Sequence, residues 1–280
     1  MQFILLLQCP DQPGIVARVC SAIFRSGANI VDLRQHTTDA SSGVFFSRIA
    51  FWLPDESAHM LEPLVRELQP LMQSLHGTMQ LYDISKRLRA AVCVSRCGHC
   101  LAELLYMHSI NELGADIRVV VSNYPEHEVL VRQYGVAFMY IPATKQDLRE
   151  HEVLLAVKER SDFLILARYM QVFSPVFLSN YAKDIINIHH GLLPSFKGPA
   201  PYRQAWEAGV KVIGATAHFV TEKLDAGPII CQQVEHVSHD DSLQDLVRKG
   251  RHLEKRALAE AVRSYAQHRV MRLGEKTIVF

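Results

Sequence analysis

The sequence predicts an α/β protein in two parts: an N-terminal ferredoxin-like α+β domain over residues 1–85, and a doubly wound, Rossmann-like, mostly parallel sheet domain over residues 90–280. Three observations predict this. The first 85 residues read strand, helix, strand, strand, helix, strand, two half-repeats that make a ferredoxin-like sandwich. Beyond a short basic connector, residues 86–89, near-continuous apolar strands alternate with longer helices, as in parallel sheets buried on both faces. The chain has 280 residues and is 49% hydrophobic and 21% charged, an ordinary globular composition with enough length to bury sizeable cores.

The elements follow in order. Residues 3–9 are an apolar strand, and Pro10-Asp11-Gln12-Pro13-Gly14 breaks it. Ile15, Val16, Val19, Cys20 and Ile23 recur at helical spacing until Gly27. Strands at 29–38 and 44–53 flank a hairpin turn at 39–43. Leu61, Leu64, Val65, Leu68, Leu71, Met72 and Leu75 form a second helical stripe, and 77–84 is the fourth strand. In the second part, strands fall at 90–94, 117–121, 137–141, 163–167 and 185–188. A long helix runs from 243 to 267, and a hairpin centred on Gly274 closes the chain.

Several function classes are excluded early. Thirty Lys and Arg against 29 Asp and Glu leave a net charge of +1, with no electrostatic footprint for nucleic acid or an anionic membrane. No apolar run reaches the roughly 18–20 residues of a membrane span. The short apolar stretch at 3–9 has no basic segment before it and reads as a strand rather than a signal peptide. Six scattered cysteines in no paired framework fit reduced thiols, and the expected compartment is the cytoplasm.

The densest polar segment is Ile186-Asn187-Ile188-His189-His190-Gly191-Leu192-Leu193-Pro194-Ser195-Phe196-Lys197-Gly198, directly after an apolar strand. Ligands of open α/β sheets bind beyond the carboxyl ends of the strands. Asn187 and His189 are two apart, so on a strand they face the same side. An amide donor and an imidazole there can polarise a carbonyl and handle a proton. A second strand runs from Gly214-Ala215-Thr216-Ala217-His218-Phe219 into a loop whose acid, Asp225, precedes Ala226-Gly227-Pro228.

The stretch NIHHGLLPSFKGPAPYRQAWEAG followed by GATAHFVTEKLDAGPII resembles the folate-dependent formyltransferase/hydrolase family. Its catalytic trio is the Asn and His of an N-x-H motif and the Asp of a D-x-G motif, which fall on Asn187, His189 and Asp225. The segment LILARYMQVFSP resembles its pterin-binding segment. The resemblance implies one substrate wall from Met170, Gln171, Val172 and Phe173, and another from Val220, Thr221, Glu222 and Lys223 up to Asp225. The N-terminal PDQPGIVARV and GANIVDL resemble an ACT domain. That implies an amino-acid effector near Asp11, Gly14, Asn29 and Ile30, and self-association into a homo-oligomer. Two departures are informative. Val94-Ser95-Arg96-Cys97-Gly98-His99-Cys100 keeps one glycine where transformylases have a glycine-rich phosphate loop. The usual N-x-H-P-S reads Asn187-Ile188-His189-His190-Gly191.

An ACT unit ahead of such a core resembles the hydrolytic branch of the family. The implied reaction is 10-formyltetrahydrofolate plus water giving formate and tetrahydrofolate, which balances one-carbon folate pools for purine biosynthesis. The alternative is transfer of the formyl group to an amine acceptor. The implied scheme requires no metal and no cofactor beyond the folate substrate, and no nucleic acid or membrane partner.

Cys97-Gly98-His99-Cys100 also matches C-x-x-C, but Ser95-Arg96 precede it and the strand pattern runs well past a thioredoxin domain, so no redox role is assigned. No second ligand pair has zinc spacing. His36, His59, His76, His108 and His268 read as surface or packed residues.

Overall fold

In the computed structural model, which describes residues 1–39, 42–144, 146–196, 198 and 200–280, the chain forms two compact units. The first comprises residues 1–86 with 267–271 and 278–280, the second residues 87–266 with 272–277. Ala40 and Ser41, at the centre of the expected hairpin turn, lie outside the described residues, as does Lys197 of the polar segment.

In the first unit, β1 (Gln2–Pro10) runs through the middle of its sheet and is apolar on both faces because apolar groups cover each face. Successive strand side chains point opposite ways. Phe3, Leu5, Leu7 and Cys9 therefore enter a core shared with the helices, while Ile4 and Leu6 meet Ala50, Tyr82 and Met271. Gly14, at φ +87°, opens α1 (Ile15–Arg25) without a side-chain cap. The apolar stripe of α1 buries Ile15, Val19, Ala22 and Ile23. The chain then forms β2 (Asn29–Thr37) and β3 (Val44–Trp52). α2 (Leu61–Ser74) adds Leu64, Leu68 and Met72 to the core before β4 (Thr78–Asp83) returns along β1. The strand order is β2-β3-β1-β4 with every pair antiparallel, the ferredoxin-like arrangement.

In the second unit, β5 (Leu88–Val94) starts inside the stretch read as a connector. The Arg89 backbone N–H and guanidinium both donate to Asp162, which sets that start. α3 (His99–Ser109), β6 (Ala115–Ser122), α4 (Glu128–Gln133), β7 (Ala137–Tyr140), α5 (Glu150–Val157), β8 (Phe163–Ala167), α6 (Pro175–Tyr181) and β9 (Ile185–His189) follow. After α7 (Pro201–Glu207) come β10 (Val212–Phe219), β11 (Ile229–His236) and the long α8 (Leu243–Ala266). The sheet runs β11-β10-β9-β8-β5-β6-β7, parallel from β9 to β7, with β10 and β11 antiparallel at one side. β5 and β8 are adjacent, yet the chain leaves β5 toward β6 and leaves β8 toward β9. Their following loops diverge and open a crevice at the topological switch point. β12 (Val270–Leu273) and β13 (Lys276–Val279) form the final hairpin, turned at Gly274 with φ +56°.

Candidate active site

The site is built by β9, β10 and the loop that follows β10. On β9, Ile186 and Ile188 are buried in the core, and Asn187 and His189 take the alternate face. The antiparallel register of β10 sets His218 opposite Asn187 and Thr216 opposite His189. Asp225 stands on the loop between β10 and β11, at φ +48°, a strained conformation for a residue with a Cβ. The loop is pinned at its base: Phe219 N–H donates to Pro228 O (2.9 Å) and Val220 N–H to Ile185 O (2.8 Å). Gly227 is required there, since a Cβ would lie 1.9 Å from the Phe219 carbonyl oxygen.

Four side chains converge. His189 Nδ1 lies 3.3 Å from Asp225 Oδ2, and His218 Nε2 lies 3.7 Å from Asp225 Oδ1. Asn187 Nδ2 lies 3.2 Å from His218 Nε2. His218 Nδ1 donates to the Phe219 carbonyl at 2.8 Å, so in the neutral ring Nε2 is the acceptor and the amide nitrogen of Asn187 is turned toward it. A primary amide carries two N–H groups, so one remains to donate elsewhere. The hydrogen bond from His189 holds the Asp225 carboxyl well below the usual carboxylate range, against the opposing effect of burial. His190, tilted against the His189 ring and edge-on to Tyr202, is pushed down to about 4 by burial and by the neighbouring Arg168. Thr216 staples the following loop: its hydroxyl donates to Gly191 O (2.8 Å) and accepts from Leu193 N–H (3.1 Å). Gly191 leaves room for the imidazole, since a Cβ would lie 2.9 Å from His189 Nε2.

The trio opens onto a cleft of about 370 Å³. Met170, Gln171, Val172 and Phe173 line one side, and Val220, Thr221, Glu222 and Lys223 the other, with Asn187, His189 and Asp225 at the head. Met170 and Val172 are exposed apolar groups, a surface that a flat ring can cover. Ser95 fixes this wall by accepting from Met170 N–H (3.0 Å) and donating to Asn123 Oδ1 (2.8 Å).

Behind the cleft, Glu254 of α8 is buried. It accepts from His99 Nε2 (2.8 Å) and Tyr202 OH (2.9 Å), and Arg168 Nε stands 3.4 Å away. Burial raises the carboxyl of Glu254, but His99 and Arg168 outweigh it and hold it below the usual range. Gly250 admits the Tyr202 ring, since a Cβ would lie 2.1 Å from its Cζ. The donor atoms of His99, Cys100 and Glu254 lie within 4.8 Å of one another. Burial pushes the Cys100 thiol well above its ordinary value, which disfavours the thiolate a metal would need. Cys97 and Cys100 are free, and Cys97 is exposed.

In the first unit, Asp11 and Gly14 line a cavity of about 770 Å³ with Gln35, His36 and Thr37. Asn29 and Ile30 are not part of its lining, because they begin β2 and the cavity lies at its end. His218, Arg168, His99 and Tyr202 lie within conspicuous sequence segments in which the resemblance assigns them no role, and Glu254 lies outside those segments. His218 is found only through the antiparallel register of β10.

The sequence profile of the formyl transferase family matches residues 88–262, and that of the ACT domain residues 3–71. A formyltetrahydrofolate deformylase of Synechocystis is 40% identical over 279 residues, covering 99% of this chain and 97% of its own. One of Bacillus subtilis is 41% identical over 282 residues, covering 99% and 93%. The crystal structure of a formyltetrahydrofolate deformylase from Pseudomonas syringae superposes with a TM-score of 0.91 at 37% identity, covering 100% of this chain and 95% of that one. A glycinamide ribonucleotide transformylase from Symbiobacterium toebii matches at a TM-score of 0.64 and 31% identity, covering 69% of this chain and 94% of its own.

Proposed function

The chain belongs to the formyltetrahydrofolate deformylase family and hydrolyses 10-formyltetrahydrofolate to formate and tetrahydrofolate, and we propose that Asn187, His189 and Asp225 perform the hydrolysis. The observation that carries this assignment is a single carboxylate, Asp225, within 3.3 Å of His189 and 3.7 Å of His218, at the head of a cleft that also holds Asn187.

The formyl group is an amide carbonyl with a weakly electrophilic carbon, so three needs must be met. Asp225, kept ionised, accepts a proton from the attacking water, directly or through His189. The free N–H of Asn187 donates to the formyl oxygen and strengthens as that oxygen becomes an oxyanion; one such donor supplies about 3 kcal/mol. The departing nitrogen takes its proton from His189, and positioned acid–base groups of this kind add roughly 10²–10⁴-fold. The water contributes its hydroxyl to the formyl carbon and its proton to nitrogen, and the formic acid ionises to formate. The pterin ring lies between the 170–173 and 220–223 walls, its edge read by backbone groups. Side chains and water carry every proton in this scheme.

The ACT unit binds a small amino acid at the cavity beside Asp11 and Gly14. There the first N–H groups of α1 face a carboxylate, and Asp11, which accepts from Thr37 Oγ1 at 2.8 Å, faces an ammonium. Its sheet edges also support self-association. The six free thiols suit the cytoplasm. Thermal-shift titration with single amino acids and sedimentation of the full chain test the effector and the assembly.

The reaction is tested by incubating the full-length protein with 10-formyltetrahydrofolate and no amine acceptor. Equimolar formate and tetrahydrofolate are expected. Formate-free buffer after prolonged incubation, with turnover appearing only when an amine is added, would make the chain a transferase.

A further inference from the structure

We propose that Arg168 binds the product formate, and that the cavity it shares with Glu254 is the chamber through which that anion leaves the reacting centre. This rests on the reading above that the reaction releases formate. Arg168 follows β8 directly and lines both the folate cleft and a second cavity of about 290 Å³ behind it. Its backbone is left-handed, φ +62°, a conformation that a residue with a Cβ holds only under constraint.

The side chain is equally unusual. Its Nε and Nη1 are buried with no hydrogen-bond partner among the described residues, and only 13% of the side chain is exposed. Buried N–H groups without an acceptor are costly and rare. Glu254 does not satisfy them. Its Oε1 accepts from Tyr202 and its Oε2 from His99, and Arg168 Nε approaches Oε2 at 3.4 Å without hydrogen-bond alignment. Glu254 thus fixes and partly neutralises the guanidinium but leaves its donors open.

The open Nη1 N–H groups can donate to an oxygen of a small carboxylate in a charge-assisted bond. Formate is the smallest carboxylate, and it forms in the cleft that Arg168 lines. At the outer side of the second cavity stand Arg203 and Arg251, both exposed and in no ion pair with any described residue. The path therefore runs from a buried, half-neutralised cation to two open ones, which favours outward movement of an anion. Partial neutralisation by Glu254 keeps the inner site from trapping the product.

The test reads binding without turnover. Carbon-13-labelled formate is titrated into the full-length protein without folate, and broadening of its resonance is followed for wild type, Arg168→Gln and Arg168→Lys. Wild type should broaden the signal saturably, Arg168→Gln should weaken binding about tenfold or more, and Arg168→Lys should keep part of it. Tetrahydrofolate binding checks that each variant is folded, and Arg168→Lys carries the test if Arg168→Gln is not. Equal titrations for wild type and both variants would overturn the proposal, as would an absence of saturable broadening in wild type. Displacement of labelled formate by inorganic phosphate at lower concentration than by unlabelled formate would overturn the assignment to formate. Absent formate binding in a protein that hydrolyses 10-formyltetrahydrofolate would remove this inference alone. A protein that releases no formate would remove the reaction itself.

Discussion

Replacing His218 by alanine probes how the oxyanion donor is held. His218 Nε2 lies 3.2 Å from the amide nitrogen of Asn187, and its Nδ1 is anchored on the Phe219 carbonyl at 2.8 Å. The substitution removes the acceptor that fixes the orientation of the Asn187 amide. A lost neutral hydrogen bond costs about 0.5–1.5 kcal/mol. The ceiling is the whole oxyanion donor, about 3–4 kcal/mol, because His218 acts through Asn187. The expected fall in kcat is therefore about 10- to 100-fold, or roughly 1.4–2.7 kcal/mol. KM should change little, because the His218 side chain is only 2% exposed and offers the substrate almost no surface. The assay is initial-rate formate release for wild type, His218→Ala, Asn187→Ala and the double variant. Asn187→Ala should lose about 10²–10³-fold, and the double variant should fall no further, since both substitutions remove one interaction. A wild-type kcat for His218→Ala, or losses that multiply in the double variant, would refute the positioning role.

Gly191→Ala places a Cβ 2.9 Å from His189 Nε2 and 3.1 Å from Pro201 Cβ, so the imidazole must move. Because misplacing a catalytic group by about 1 Å costs up to about 10²-fold, kcat should drop about tenfold or more while folate binding measured by fluorescence is retained. The depressed carboxyl of Asp225 stabilises the fold fully above its unfolded pKa of about 3.9, and that contribution fades as pH falls toward the lower folded value. The difference in unfolding free energy between wild type and Asp225→Asn should accordingly shrink from about pH 4 to about pH 2 in urea titrations, and a constant difference there would contradict it. Cys97 is exposed and free, so Cys97→Ser should leave formate release within about a few-fold of wild type. Complete loss of activity with the fold intact would reopen a thiol role.

The sequence made the candidate site partly legible because Asn187 and His189 sit on one regular strand. Period-two alternation on 185–189 shows that Asn187 and His189 share a face, and a Gly-Pro breaker marks the loop that carries Asp225. The apolar strands of the second unit announce burial on both faces. Pairing direction is a different matter. β10 is as buried as its parallel neighbours, so its sequence does not reveal that it runs antiparallel to β9. His218 became visible only with that register. Arg168 and Glu254 are 86 positions apart and carry no local pattern; their meeting depends on how α8 crosses the sheet. In the first unit the loop at residues 11–14 points to a cavity. The start of β2, however, lies at the opposite end of α1 from Gly14, and that separation follows from helix length rather than from any residue.

The most direct measurement is a comparison of wild type and Asp225→Asn with 10-formyltetrahydrofolate as the only substrate, reading formate by a coupled dehydrogenase and folate affinity by equilibrium titration. With Asp225 as the group that receives the proton of water, the variant should lose at least about 10³-fold in kcat. Its folate affinity should stay within about threefold of wild type, because the two walls of the cleft are untouched. Near-normal formate release by Asp225→Asn would contradict the assignment of the catalytic trio.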